Sequence, residues 1–467
     1  MTKHCAVICA VLLCCAGSGV SGLGQTLVLE GGILLDGTGG PPIPDAVVVV
    51  EGSRIRTVGS MGQVSYPSNA QVISTEGHTI LPGLIDSHVH LRDHMLPMFL
   101  PYGVTTIADT NNYTSWSIAL RGALRDGRIK GPRLFVSGIA AGGPLAGEGA
   151  TLNSPNQGFG AYARHSSDGS VSPGVALQTV DDARAYVGSL LDKGVDMLKV
   201  DLDLTLEQLR TIIEEANRAG VVVVGHSKNM KTAAEVGLKY MEHTDTVGRA
   251  ILEQMDISPE QVSSPESLMD TRRFDPLVEL MVQQGVYANP TLFVRWGAST
   301  PRAREWADAA RELIQDPDLA FVPATVSEPW TRPRGRADIQ GFTKVAEFLR
   351  RFVEAGGKIA AGTDSGYMPG LSIHYEMQMM VDIGMSPMQA IQGATLWGAE
   401  SIGQEANLGS LEAGKLADIT VVEGNPLDNI SSTQNIRMVI KDGNIMDTSY
   451  DPGFVTPIPR PRDGNID

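Results

Sequence analysis

Eight short apolar segments, each followed by a stretch long enough for a helix, constrain this chain more than any other feature. They read LIDSHVH (84–90), VTTIAD (104–109), RLFVSG (133–138), VDMLKV (195–200), VVVVGH (221–226), LKYMEH (238–243), VYANPT (286–291) and KIAAGTD (358–364). Strand and helix alternating eight times predict an α/β fold, parallel strands closed into a (β/α)8 barrel of the TIM type. A chain of 467 residues, 42% of them hydrophobic, is long enough for such a barrel and a smaller companion. Two of the intervening helices announce their starts. Thr205 with Gln208 forms a capping box ahead of Leu206, Leu209, Ile213 and Ala216 at helical spacing, with Gly220 as the stop. Ser386 followed by Pro387 opens the other.

The chain ends carry a different signature. From Thr26 to Gly59 β-branched runs alternate with Gly, Pro and Asp, and KLADITVVEGNP and IRMVIKDGNIM repeat that chemistry near the other end, with Asp442 and Gly443 as a hairpin signal. We expect residues 25–82 and 405–449 to form one composite β-sandwich flanking a barrel of 83–404. Two unrelated terminal ribbons are the alternative. Two connections are too long to be simple: 138–174 is expected over the barrel mouth as a loop or lid, and 292–356, with charged helical segments such as PRAREWADAARELIQD, is expected to cover the mouth as well. The Pro-rich residues 450–467 are expected to be an extended, mobile tail. Residues 1–23 have Lys3, a short apolar run and then small residues, the layout of a signal peptide, and they hold all four cysteines. The expectation is an exported protein, periplasmic or secreted, with no membrane span once that segment is removed. A formal net charge of −16 argues against a nucleic-acid partner, because phosphate binding rests on Lys and Arg.

Chemistry gathers at the ends of the strand segments. In SHVH the alternation of a strand sends His88 and His90 to one face and Val89 to the other. His226, His243 and Asp364 each end a segment, and Lys199 lies near the end of its own. A barrel places its catalytic groups at the carboxyl ends of its strands, so these six residues are expected on one rim. Any one of them alone is better read as a buried, hydrogen-bonded residue or a helix cap. Independent structural residues have no reason to share a rim, so jointly they point to metal. Imidazole and carboxylate without thiolate suit Zn²⁺ first, with Mn²⁺, Co²⁺, Ni²⁺ or Fe²⁺ as replacements. Lys199 admits two readings. A neutral amine can react with CO₂ to give a carbamate that bridges two ions, whereas an ammonium would pair with an acidic substrate or with Asp201 or Asp203.

This order of residues resembles the binuclear amidohydrolases. LPGLIDSHVHL, YGVTTIADT, MEHTD, GTDSG and LGSLEAGKLADITVVEGNPL are similar to the imidazolonepropionase-like and prolidase-like branch, over nearly all of residues 25–446. The resemblance implies two divalent ions bridged by N6-carboxylated Lys199, one also held by His88, His90 and Asp364, the other by His226 and His243. Three places depart from the pattern: Pro144 stands where relatives carry a histidine, and GHS and EHTD replace AHA and EHG. On this reading the ions lower the pKa of a shared water to give hydroxide, one ion polarises the scissile carbonyl, and Asp364 is the general base. His374 is a candidate for touching substrate or for supporting the ligands from behind. His78, His94 and His165 are read as small-domain or surface residues.

The expected activity is hydrolysis of a C–N amide bond in a small molecule of the dipeptide or N-acyl amino acid type. A lactam, carbamate, urea or phosphotriester hydrolase is the rival within catalysis. A metal-loaded binding protein without turnover is the rival outside it. Assembly into a homo-oligomer is left open.

Overall fold

The computed structural model describes residues 26–143, 160–165, 171–364 and 366–461. The leader, its cysteines, Pro144 and residues 462–467 lie outside that set.

Two sheets built from both ends of the chain make the small domain. The first orders Arg54–Ser60, Ala46–Glu51, Thr26–Glu30 and Gln71–Ser74. The second orders Ile33–Leu34, His78–Pro82, Ile419–Glu423, Ile436–Lys441 and Asn444–Ile445, so strands more than 300 residues apart in sequence are direct neighbours. Strand alternation divides the apolar side chains. Leu27, Leu29, Val48 and Val50 face inward and pack with Ile80, Ile419, Val421 and Ile440, while Val28, Val47 and Val49 meet Val64 and Tyr66 on the other face. The expected hairpin forms at Asp442 and Gly443, with φ of 51° and 73°. Both values lie in the left-handed region that a two-residue turn of this kind requires. A Cβ on Gly443 would stand 1.9 Å from the Gly52 carbonyl oxygen.

The barrel strands appear in the predicted order. They are β1 (Leu84–Val89), β2 (Val104–Asp109), β3 (Arg133–Val136), β4 (Met197–Val200), β5 (Val222–Gly225), β6 (Tyr240–Glu242), β7 (Tyr287–Asn289) and β8 (Lys358–Ile359). Neighbours pair in parallel from β1 to β3 and from β4 to β8. The Asp196 amide donates to Val136 O at 2.9 Å across the β3–β4 joint. The Ser87 amide to Ala361 O at 3.1 Å and the Asp364 amide to His88 O at 2.7 Å close β8 onto β1. The Thr205 capping box starts the helix Leu206–Arg218, and Ser386 caps Pro387–Gly393, where Gln389 completes a second box.

Two of the expectations for the connections and the tail need correction. The 138–174 connection is more than a loop, because Ala140–Gly142 joins β4 and pairs with Val171–Ala176, which in turn pairs with Gly160–His165. The 292–356 connection carries the expected helical segments, including Ala303–Leu313 and Ile339–Glu354. Residues 450–461 are extended but docked: Trp116 Nε1 donates to Ile458 O at 2.9 Å, and Arg460 Nε to Asn112 Oδ1 at 2.6 Å.

Candidate metal centre

The six expected residues converge. His90 Nε2 lies 3.1 Å from Asp364 Oδ1, His88 Nε2 3.6 Å from the same oxygen, and His243 Nε2 3.7 Å from Asp364 Oδ2. The His226 and His243 ring centroids are 4.5 Å apart, and the His88 ring is 5.3 Å from those of His90 and His243. Lys199 enters from β4, buried to all but 2% of its surface.

A seventh residue belongs to the centre. Glu242 Oε2 contacts Lys199 Nζ and lies 3.4 Å from His226 Nε2, while Oε1 lies 3.4 Å from His88 Nδ1. Strand alternation hides this residue from a sequence reading, since it puts adjacent Glu242 and His243 on opposite faces. The backbone breaks that rule. His243 has φ +64°, in the left-handed region, which swings its imidazole to the side that Glu242 already faces. Asp364 at +49° and Thr291 at +48° share the region, and for a β-branched threonine it is a true outlier. Such strain gathers where the surrounding structure holds a geometry for its chemistry.

Two imidazoles are aimed by hydrogen bonds at Nδ1. His226 Nδ1 donates to Asp201 Oδ1 at 3.1 Å, and His243 Nδ1 lies 2.7 Å from Thr291 Oγ1. Each arrangement leaves the Nε2 lone pair facing the centre. Glu376 supports the second, accepting the Leu292 and Phe293 amides at 2.8 Å each and so holding the loop that carries Thr291. Behind His88, Asp86 accepts from Thr363 N at 3.0 Å and Thr363 Oγ1 at 2.7 Å, tying β1 to the segment before Asp364. Gly362 lets these layers meet, since a Cβ there would sit 2.4 Å from Asn289 Nδ2 and 2.6 Å from His88 Cβ.

Electrostatics keep His88, His226 and His243 neutral. Burial, followed by the Lys199 charge, depresses His88 well below the ordinary imidazole range. Burial and then His226 and Arg295 do the same to His243, and burial and then Lys199 lower His226. Burial would raise Asp364, but the hydrogen bond from His90, with the Lys199 charge behind it, outweighs that and holds the carboxylate ionised. Both ring nitrogens of fully buried His88, and Nε2 of His226, lack a hydrogen-bond partner among the described residues. Buried polar atoms left this way cost free energy unless something fills the gap between them. Neutral imidazoles and carboxylates converging on that gap fit a divalent cation, and two ligand groups are close enough to hold one: His88, His90 and Asp364, and His88, Glu242 and His243.

His374 does not join the centre. It is fully buried, with Nδ1 2.9 Å from Thr433 Oγ1 and Nε2 3.0 Å from Tyr102 O, and burial lowers it to about 4. Its role is to pin helix Ser372–Asp382 to the C-terminal segment. Asp201 and Asp203, the acids weighed as partners of Lys199, bind His226 and Lys228 respectively. His94 is half-buried rather than a surface residue.

A (β/α)8 barrel with histidines and carboxylates at the carboxyl ends of its strands defines a metal-dependent hydrolase. The profile described as "Amidohydrolase family" matches residues 79–446, and the chain belongs to that family. It is 25% identical over 460 residues to the ochratoxinase of Aspergillus niger, covering 89% of this chain and 85% of that protein. Among solved structures it is similar to a Xaa-Pro dipeptidase with methionine bound in its active site (TM-score 0.63, 24% identity, 91% of this chain and 100% of that one). It is also similar to phenylurea hydrolase B (TM-score 0.66, 23% identity, 94% and 100%). No helix among the described residues is long and apolar enough to cross a membrane.

Proposed function

We propose that this protein hydrolyses the C–N amide bond of a small substrate of the dipeptide or N-acyl amino acid type, using two divalent ions, Zn²⁺ first. The observation that carries the reading is the convergence of four imidazoles, two carboxylates and buried Lys199 on one barrel rim. The names of a Xaa-Pro dipeptidase and a phenylurea hydrolase with this barrel support a small substrate with a scissile C–N bond. Lactams, carbamates, ureas and phosphotriesters are the rival substrates.

His88, His90 and Asp364 would hold one ion, His226 and His243 the other, and a carbamate on Lys199 would bridge them. Bound ions supply Lewis acidity toward the scissile carbonyl and acidify water. Asp364, held ionised, takes the proton of the attacking water and passes it to the departing nitrogen. Asp201 and Thr291 keep two imidazoles in the ligating tautomer. Burial of Lys199 in an apolar strand favours the neutral amine, whose lone pair can attack CO₂ with loss of a proton to give the carbamate. The contact between Lys199 and Glu242 favours a second reading, in which Lys199 stays an ammonium paired with Glu242 and one ion binds at His88, His90 and Asp364.

Metal stoichiometry separates the two. The carbamate reading expects two ions per chain, fewer in Lys199→Ala, and partial recovery of that variant by a small added carboxylate. One ion at saturation in the native protein, or an Ala variant with unchanged metal and rate, leaves the mononuclear reading standing. Export after loss of residues 1–23 is part of the proposal, and exported protein that still begins at Met1 or Thr2 would overturn it.

A further inference from the structure

His226 and His243 are aimed through Nδ1 by Asp201 and Thr291, but His90 Nδ1 has no hydrogen-bond partner among the described residues. With nothing gripping the far side of its ring, the direction of His90 depends on the backbone that carries it. That backbone is held through Asn112. Asn112 Nδ2 donates to Leu91 O at 2.9 Å and to Asp109 Oδ1 at 3.2 Å, and Asp109 Oδ1 also accepts the Leu91 amide at 3.1 Å.

Asn112 is in turn held by the far end of the chain. Arg460 Nε donates to Asn112 Oδ1 at 2.6 Å, its own amide donates to Asp93 Oδ1 at 2.8 Å, and its guanidinium carbon lies 4.8 Å from the centre of the Tyr113 ring. The segment reaches this point along a fixed path. Tyr450 bonds Tyr102 through the two hydroxyls at 3.1 Å, Tyr450 and Phe454 pack on Phe321 of the 292–356 insertion, and Ile458 O accepts the Trp116 indole.

We propose that residues 450–461 are a strap whose Arg460 acts as a positioning residue, setting the backbone just after His90 at two points, through Asn112 to Leu91 and directly to Asp93. The strap supplies no group to the reaction. It does for His90, from outside the ring, what Asp201 and Thr291 do for His226 and His243 through it. The inference rests on His90 being a metal ligand, as proposed above.

The test is Arg460→Met in the full chain, loaded with Zn²⁺ and assayed on whichever amide the native enzyme turns over. A lost supporting contact of this kind lowers activity or metal affinity about 10-fold. The expected result is kcat down about 10-fold with KM within about twofold, weaker Zn²⁺ binding by equilibrium dialysis, and partial recovery of kcat on adding methylguanidinium. Arg460→Lys keeps a charge over Tyr113 but lacks the planar Nε donor. It should show the same loss of kcat even if the Met variant folds poorly. A kcat equal to native in both variants, or a loss that tracks the folded fraction in thermal unfolding and ignores methylguanidinium, overturns the strap. His90→Asn separates this from the reading beneath it: full activity there sinks the metal assignment, whereas a dead His90→Asn beside an unimpaired Arg460→Met sinks the strap alone.

Discussion

The β-sandwich and the barrel rim are both buried regions, but they are built on opposite terms. In the sandwich, valine, leucine and isoleucine interlock across two sheets and the backbone ladder absorbs the polar groups. At the rim, buried ring nitrogens of His88, His90 and His226 lack hydrogen-bond partners among the described residues, Lys199 abuts a carboxylate, and His243, Thr291 and Asp364 sit at positive φ. The sandwich is organised for stability. The rim gives stability up to hold lone pairs in reserve, and the contrast shows where each region should fail.

The sharpest break of the contrast is Asp364→Asn. The amide cannot accept the proton, so kcat should fall about 10³-fold while the thermal transition hardly moves. Near-native turnover in that variant would place the base elsewhere. Next is Arg133→Met, at the seam between the regions. Arg133 on β3 reaches Asp418 Oδ2 at 3.2 Å and Asp442 Oδ1 at 2.6 Å in the sandwich, and Asp418 is buried. Leaving that carboxylate unpaired should cost about 3 kcal/mol in chemical denaturation, with kcat and KM preserved. A loss under about 1 kcal/mol would mean the two regions are coupled mainly through apolar contact.

Glu376 supports the rim without touching its ligands, so its signature should be a pH slope in stability. Burial raises its carboxyl to about 8 against 4.5 for the ordinary group. Between those values the folded state keeps a proton that the unfolded chain has released, so stability is greatest below about 4.5 and falls as pH rises through 8. Glu376→Gln should flatten that decline between pH 5 and 8, read from denaturant midpoints. An unchanged slope would assign the decline to other groups. The smallest effect belongs to Ile419→Val in the sandwich core. One methylene lost from a packed interior costs about 1 kcal/mol, and kcat/KM should stay within error. A changed kcat/KM would show that the sandwich shapes the site.

The two regions also differ in how far they could be read ahead of the structure. For the barrel, local signals sufficed. Apolar segments ending in His90, His226 or Asp364, the capping box at Thr205 and the Ser386–Pro387 helix start each act within a few residues, and the strand–helix alternation repeats eight times. The sandwich was legible from β-branched runs and the Asp442–Gly443 turn, although the pairing of His78–Pro82 with Ile419–Glu423 is a long-range fact that composition could only suggest. The path of residues 450–461 was not legible, because a Pro-rich segment looks the same in sequence whether loose or docked. Its Trp116, Asn112 and Tyr102 partners lie more than 300 positions away.

By itself the sequence determined the eight-fold alternation and the residues that close its strands, because strand periodicity and helix capping are local. Only the tertiary structure decided which of those residues share a centre. It took His374 away, since the helix carrying it turns both ring nitrogens toward Thr433 and Tyr102. It added Glu242, since one left-handed residue at His243 reverses the alternation that would have sent the two side chains apart. A single φ angle is not written in the hydrophobic pattern; the contacts that hold it, here the His243 amide on Asn289 O and its ring on Thr291, come from a neighbouring strand.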